Sequence, residues 1–213
     1  MQEITLSDPF GQALTQYSRG LLFGVEIGGG TGDGSTQCIK TRELVSFEIH
    51  PDRIGRHQFN LDGRQGGMAI HQLSSNPMKW LSEDEVTDFY YTTTTNLNQY
   101  PIEQILEWHK EDFRTSKQYA YGRVSLAGEI DFLLLDGGEF SGKADMMEWF
   151  PRLKQGGIIA MDDINALKNF HNYHWLKTSG HDCLYQNLSW RNGSAIFRKA
   201  ITDVGAGTAT GHR

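Results

Sequence analysis

The chain of 213 residues is sized for one domain around a single hydrophobic core, and 20 Lys+Arg against 26 Asp+Glu give a formal charge of −6. The basic residues are scattered without runs, which disfavours a nucleic-acid partner, and two cysteines, Cys38 and Cys183, exclude a disulfide framework or a zinc cluster. The start, MQEITLSDPFGQ, has no basic segment leading into an apolar run, and no apolar stretch approaches the ~18 residues of a membrane span, so the expectation is a cytoplasmic protein without a membrane partner.

In chain order, Ser7 is the expected cap of a first helix, with Pro9 in its opening turn and Phe10, Leu14 and Tyr17 along one face before Gly20. LLFGVEI then reads as a buried strand, GGGTGDGST as a loop opening a helix, and LVSFEIHPDR as a second apolar-then-acidic strand unit. MAIHQL, over 68–73, is a third strand that ends in the turn residues Ser74, Ser75, Asn76 and Pro77. Residues 81–128 change character. They are aromatic and polar, carry one clear helix from Pro101, and read as an insertion or cap, with the run of four threonines left as strand or loop.

Regular α/β patterning resumes with IDFLLLD, a continuous apolar run suited to a parallel strand covered on both faces. A helix with Met146, Trp149, Phe150 and Leu153 as its apolar stripe is expected to close at Gln155-Gly156-Gly157, and the strand GIIAMDD to follow. Residues 171–177 read as helical, and CLYQNL with GSAIFRK as a closing antiparallel pair around Arg191-Asn192-Gly193. The reading is one domain over 1–199, with a frayed tail over 200–213.

Glycine is 24 of 213 residues, well above the usual share of about 7%, and much of it lies in GGGTGDG. A glycine-rich turn between a buried strand and a helix lets backbone N–H groups approach a ligand without Cβ interference. The dinucleotide pattern GxGxxG fails, because Asp33 stands where the third glycine belongs, and GxxxxGK[ST] is absent. What stands here is Glu26 followed by Gly28, Gly30 and Gly32. An acid at the strand tip repels a pyrophosphate and suits a cationic amino group.

In these residues the chain resembles the class I S-adenosylmethionine-dependent methyltransferases, whose first motif is an acid ending strand 1 followed by GxGxG. The resemblance implies a Rossmann-like α/β fold: a mostly parallel seven-stranded sheet, helices on both faces and a terminal antiparallel strand. It implies that Glu48, which ends the second apolar run, binds the ribose hydroxyls of S-adenosylmethionine. Glu26 and the loop amides would face the methionine portion, Ser35 its carboxylate, and Ser74 or Ser75 the adenine, with Asp136 also at the cofactor's edge.

Two later strands each end in acid, at Asp136 and at Asp162-Asp163. Carboxyl ends of parallel strands share one edge of a sheet, so the three side chains are expected to converge, and three carboxylates need a cation or proton between them. Oxygen-only ligands point to Mg²⁺. The stretch LLLDGGEFSGKADMMEWFPRLKQGGIIAMDDI is also similar to the metal-dependent O-methyltransferases, of catechol and caffeoyl type and of macrolide and aminocoumarin sugar type. That similarity implies Mg²⁺ on Asp136, Asp162 and Asp163. The catechol type has a lysine three residues after the first Asp, where this chain has Glu139, so Glu139 is the candidate base, with His171 and His174 as substitutes.

An alcohol is a poor nucleophile near neutral pH, and a metal that lowers its pKa together with a carboxylate that takes its proton answers that need. The expected activity is therefore methyl transfer to a hydroxyl of a small molecule, a vicinal diol, sugar or catechol, by a protein that is a candidate homo-oligomer. Two alternatives stand beside it: a metal-independent N- or O-methyltransferase, and a non-catalytic cofactor-binding protein of the same fold.

Overall fold

The computed structural model describes residues 3–122, 124–126 and 128–201. Seven strands form one sheet in the order β3-β2-β1-β4-β5-β7-β6. They are β1 (Phe23–Ile27), β2 (Glu43–Phe47), β3 (Gly67–Ile70), β4 (Ile130–Leu135), β5 (Leu153–Asp162), β6 (Asp182–Asn187) and β7 (Ser194–Arg198). The first five run parallel, and β7 lies antiparallel between β5 and β6. The helices are α1 (Pro9–Ser18), the single-turn α2 (Ser35–Cys38), α3 (Pro51–Asp62), α4 (Glu83–Thr92), α5 (Ile102–Ser116), α6 (Gly142–Trp149) and α7 (Leu167–Thr178).

The continuous apolar run of β4 is explained by having a core on each side, since successive side chains point to opposite faces. Leu133 and Leu135 join Val25, Ile27, Trp149 and Met161 in one layer. Phe132 and Leu134 join Phe10, Leu14, Ile39 and Ile196 in the other. A third cluster forms after β3, where Val86, Phe89 and Ile105 of α4 and α5 close over Phe140 and Leu167. No described helix is long and apolar enough to cross a membrane.

The register sets the site. Phe47 pairs with Ile27, Ile27 with Leu135 and Leu135 with Met161, so the next residues, Glu48, Gly28, Asp136 and Asp162, stand in a row at one edge of the sheet. The left-handed conformation of Asp163 (φ 55°) turns the chain just past that row.

Several expectations are corrected. Asp8, not Ser7, caps α1: its carboxylate accepts from the Gly11 N–H at 2.7 Å. β3 ends at Ile70, short of the expected Leu73. α6 stops at Trp149, because Pro151 cannot continue the helical hydrogen bonding, and a 3₁₀ turn over Phe150–Arg152 leads into the next strand. Leu153 and the Gln155-Gly156-Gly157 segment therefore belong to β5, where a register shift lets Leu153 face Ile130 while Ile158 already faces Phe132. The threonine run is a helix end and a loop, not a strand: Thr92 ends α4, and Thr95 caps a 3₁₀ turn over Asn96–Gln99. Of the expected tail, residues 202–213 lie outside the described residues.

Candidate active site

Gly28, Gly30 and Gly32 all adopt positive φ, as the glycine-loop pattern requires. A Cβ on Gly28 would lie 2.1 Å from the Asp136 carbonyl oxygen, so only glycine lets β1 and β4 emerge side by side. Nothing lies within 4 Å of where a Cβ on Gly30 would stand, and the outer face of the loop is open.

Glu26 sits beneath this loop, fully buried. Its carboxylate accepts from the hydroxyls of Ser35 (2.6 Å), Thr36 (2.7 Å) and Ser46 (2.6 Å). The acid expected to greet a cationic amino group thus holds the loop down from the protein side, and the Ser35 hydroxyl is already engaged with it. His57 of α3 completes the floor. Its Nε2 lies 4.0 Å from Glu26, both ring nitrogens are buried without a hydrogen-bond partner, and a Cβ on Gly29 would strike its ring at 2.1 Å. Burial holds the imidazole pKa below its ordinary value, against the pull of Glu26 and Glu48.

Glu48 stands at the tip of β2. One oxygen accepts the His50 N–H at 2.7 Å, and Arg53 approaches the other only to 4.0 Å. Ser74 and Ser75 are tied to Asp145 of α6: Ser74 donates to its carboxylate at 2.6 Å, Ser75 also bonds it, and Ser141 donates at 2.8 Å. Burial raises the Asp145 pKa while the three hydroxyls lower it.

Asp136, Asp162 and Asp163 do converge, with one carboxylate oxygen from each within 4.8 Å of the others. Their counter-charge comes from the chain itself. The Lys168 ammonium, near the start of α7, donates to Asp136 at 2.6 Å and lies 2.6 Å from Asp163, with its side chain only 6% exposed. Arg191, itself left-handed at φ 56°, brings Nη2 to 2.9 Å from Asp162 Oδ2. That is an ion-pair distance without hydrogen-bond alignment, since Oδ2 has no hydrogen-bond partner. Asn192 adds a hydrogen bond to Asp163.

The electrostatics divide the trio. Burial and the two neighbouring carboxylates push Asp162 up to about 7. Asp163 stays below the usual range, because Lys168, Asn192 and Arg191 together outweigh its desolvation. The Lys168 pKa is raised, the three carboxylates overcoming the cost of burying the charge.

Whether these residues suit a divalent ion turns on Lys168. Its ammonium bridges Asp136 and Asp163, the interval an ion would need, and Asp162 already faces Arg191. Two internal cations leave the three carboxylates with at most one uncompensated charge. As arranged, the donor set does not fit a resident Mg²⁺ unless Lys168 withdraws.

Of the candidate bases Glu139 adjoins the cluster, its pKa raised by burial with Lys168 and Asp163 both acting on its carboxyl. Glu139 accepts the backbone N–H of Lys168 at 3.2 Å and bonds that of Leu167, capping α7, whose own N-cap residue, Ala166, has no side chain able to do so. His171 is on the exposed side of α7, its ring edge-on to Phe89 at 5.3 Å, and the exposed His174 tilts against Phe170 at 4.4 Å. The side chain that α7 delivers to the carboxylates is Lys168. Asn169 beside it donates to the carbonyls of Leu135 (3.0 Å) and Asp162 (2.8 Å), stapling the ends of β4 and β5. The sequence reading missed Lys168, Asn169, Arg191 and His57. The Lys-Asn pair five residues beyond an Asp-Asp was the available signal, because a lysine so close to two strand-end acids can reach back to them.

No protein-family model and no curated protein matches the chain. Solved structures do. Cofactor-bound Rv0187 from MTB superposes with a TM-score of 0.58 at 15% identity, over 93% of this chain and 83% of that one. The N-methyltransferase NodS from Bradyrhizobium japonicum WM9 (TM-score 0.52, 13% identity) matches over 92% and 99%, and an rRNA methylase from Streptococcus thermophilus (0.52, 13%) over 90% and 94%. At these identities the likeness is one of fold: this chain has the class I methyltransferase fold.

Proposed function

We propose that the chain is an S-adenosylmethionine-dependent methyltransferase acting on a hydroxyl of a small molecule. The observation that carries the reading is the shared edge: an open glycine loop, a strand-tip acid with a lightly engaged oxygen, and a carboxylate cluster stand side by side on adjacent parallel strands, where ligands of open α/β sheets bind. Glu48 would accept the ribose hydroxyls, and the loop from Gly28 to Gly32 would take the methionine portion on its outer face, held there by Glu26 from below. When bound, S-adenosylmethionine supplies an electrophilic methyl group.

The chain's contribution to the chemistry is positioning and proton acceptance. A hydroxyl presented to the carboxylate cluster is oriented by charged groups fixed by Lys168 and Arg191, and a carboxylate oxygen receives its proton. Substrates with neighbouring hydroxyls suit a cluster of this kind, since one oxygen can be held while the other reacts. The segment carrying α4 and α5 serves as the cap over them. Of the metal-dependent and metal-independent forms of this activity, the lysine seated among the carboxylates favours the second.

A thermal melt with S-adenosylmethionine or S-adenosylhomocysteine tests the reading, because a ligand bound only to the folded state raises apparent stability. Either compound should raise the midpoint and NAD should not. Glu48→Ala should abolish most of that shift while the unliganded midpoint stays nearly unchanged. An equal response to NAD, or a full response in the variant, removes the proposed cofactor site.

A further inference from the structure

We infer that Lys168 is the site's resident cation: its ammonium stands in the position of a divalent ion and holds Asp136 and Asp163 in place, and removing it opens a divalent-cation site that the wild-type chain lacks. The inference extends the proposed methyltransferase reading by assigning the cluster's cation, but the geometry behind it does not depend on which cofactor binds.

Three observations converge on it. Lys168 makes two contacts of 2.6 Å, to carboxylates that leave different strands, and its side chain is 6% exposed. A buried ammonium is tolerated only where its charge is met, and here it is met twice. Around it the backbone is arranged to deliver the side chain: Glu139 caps the first turn of α7, and Asn169, the next residue, is bonded to the carbonyls of Leu135 and Asp162. These bonds fix the backbone from which Lys168 projects, so that its ammonium reaches both carboxylates. Finally, the three carboxylates already gather one oxygen each within 4.8 Å. Their convergence is what an oxygen-liganded divalent ion needs, and the ammonium is what keeps one out.

The consequence has an unusual sign. Deleting a lysine normally removes a function, whereas here Lys168→Ala should create metal binding. Without a divalent ion that variant leaves three carboxylates with Arg191 alone, and its melting temperature should fall below wild type. With Mn²⁺ or Mg²⁺ it should recover, by roughly 5–10 °C at a hundredfold excess over the dissociation constant.

The test is a Mn²⁺ titration of the full chain, followed by the loss of the free-ion paramagnetic signal, with melts in chelator and in excess Mg²⁺. Wild type should bind no Mn²⁺ at these residues and show no metal-dependent shift, while Lys168→Ala should bind about one ion. Should Lys168→Ala fold only when divalent ion is supplied, that supports the inference. If it fails to fold under either condition, Lys168→Ala/Asp163→Asn, which removes one like charge, must bind the ion through the remaining two carboxylates, or the inference falls. Saturable Mn²⁺ binding by wild type that Asp162→Asn abolishes would overturn it, because Lys168 would then be yielding to metal. No gain of binding in a folded Lys168→Ala would overturn it as well. Failure of the methyltransferase reading is seen separately, as the absence of any shift with S-adenosylhomocysteine in wild type.

Discussion

At the site, acids of the same type take different roles because their surroundings differ. Glu26 and Glu48 end neighbouring strands, yet one is enclosed by three hydroxyls and the other keeps an oxygen with only a distant arginine. Asp162 and Asp163 are adjacent, yet burial beside like charges raises the first to about 7 while Lys168 lowers the second. Asp162 has a consequence for stability. Its pKa is 3.8 when unfolded and higher in the fold, so between about pH 4 and 7 the folded state binds the extra proton, and the stability this residue contributes declines as pH rises through that window. Asp162→Asn preserves shape and cannot titrate. The stability difference, wild type minus variant, should therefore be more favourable to wild type near pH 5 than near pH 7.5, as read from urea melts at both values. Parallel profiles would mean that the carboxyl is not raised.

Among the elements, α7 shows how far the sequence could be read. Its helical character was visible between residues 171 and 177, and so was the acidic end of each strand before it. What escaped is the face it turns inward. Lys168 and Asn169 look like ordinary first-turn polar residues until Glu139, from another loop, caps their turn and β4 and β5 present bare carbonyls. Glu139 and Leu135 lie 29 and 34 residues away in sequence, so no local pattern pairs them with Lys168 and Asn169. The same holds for His57, whose meaning appears only when the glycine loop folds over it. Strand identity and the convergence of the three aspartates were legible because each rests on local patterning plus one topological rule; the cation among them was not, because it depends on side-chain packing between distant segments. Asn169 is fully buried and spans two strand ends, so Asn169→Ala removes one side-chain donor from two buried carbonyls. We expect it to cost about 2–3 kcal/mol in urea unfolding. A cost under ~0.5 kcal/mol would show that the strand ends need no staple.

Across the whole molecule, the segment carrying α4 and α5 and the carboxylate site share a foundation. Phe140 follows Glu139 and Leu167 precedes Lys168, and both are buried in the cluster formed with Leu81, Val86, Phe89 and Ile105. The apolar side chains that seat α4 and α5 are thus the immediate neighbours of the groups that cap α7 and neutralise the carboxylates. The central strands depend on other clusters, on either face of the sheet. Loosening α4 and α5 should therefore reach the site before it reaches the sheet. Phe89→Ala removes a ring that lies edge-on to Phe170 at 5.3 Å and leaves a cavity in that cluster, at a cost of about 3–5 kcal/mol. Native-state hydrogen exchange then reads the order of opening. In the variant, amides of α4, α5 and the first turn of α7, including Lys168 N–H, should lose protection together, while those of β1 and β4 keep values near the global limit. Loss of protection confined to α4 would show that this helix opens without disturbing Lys168, and uniform loss across the sheet would show that the third cluster is not a separate unit.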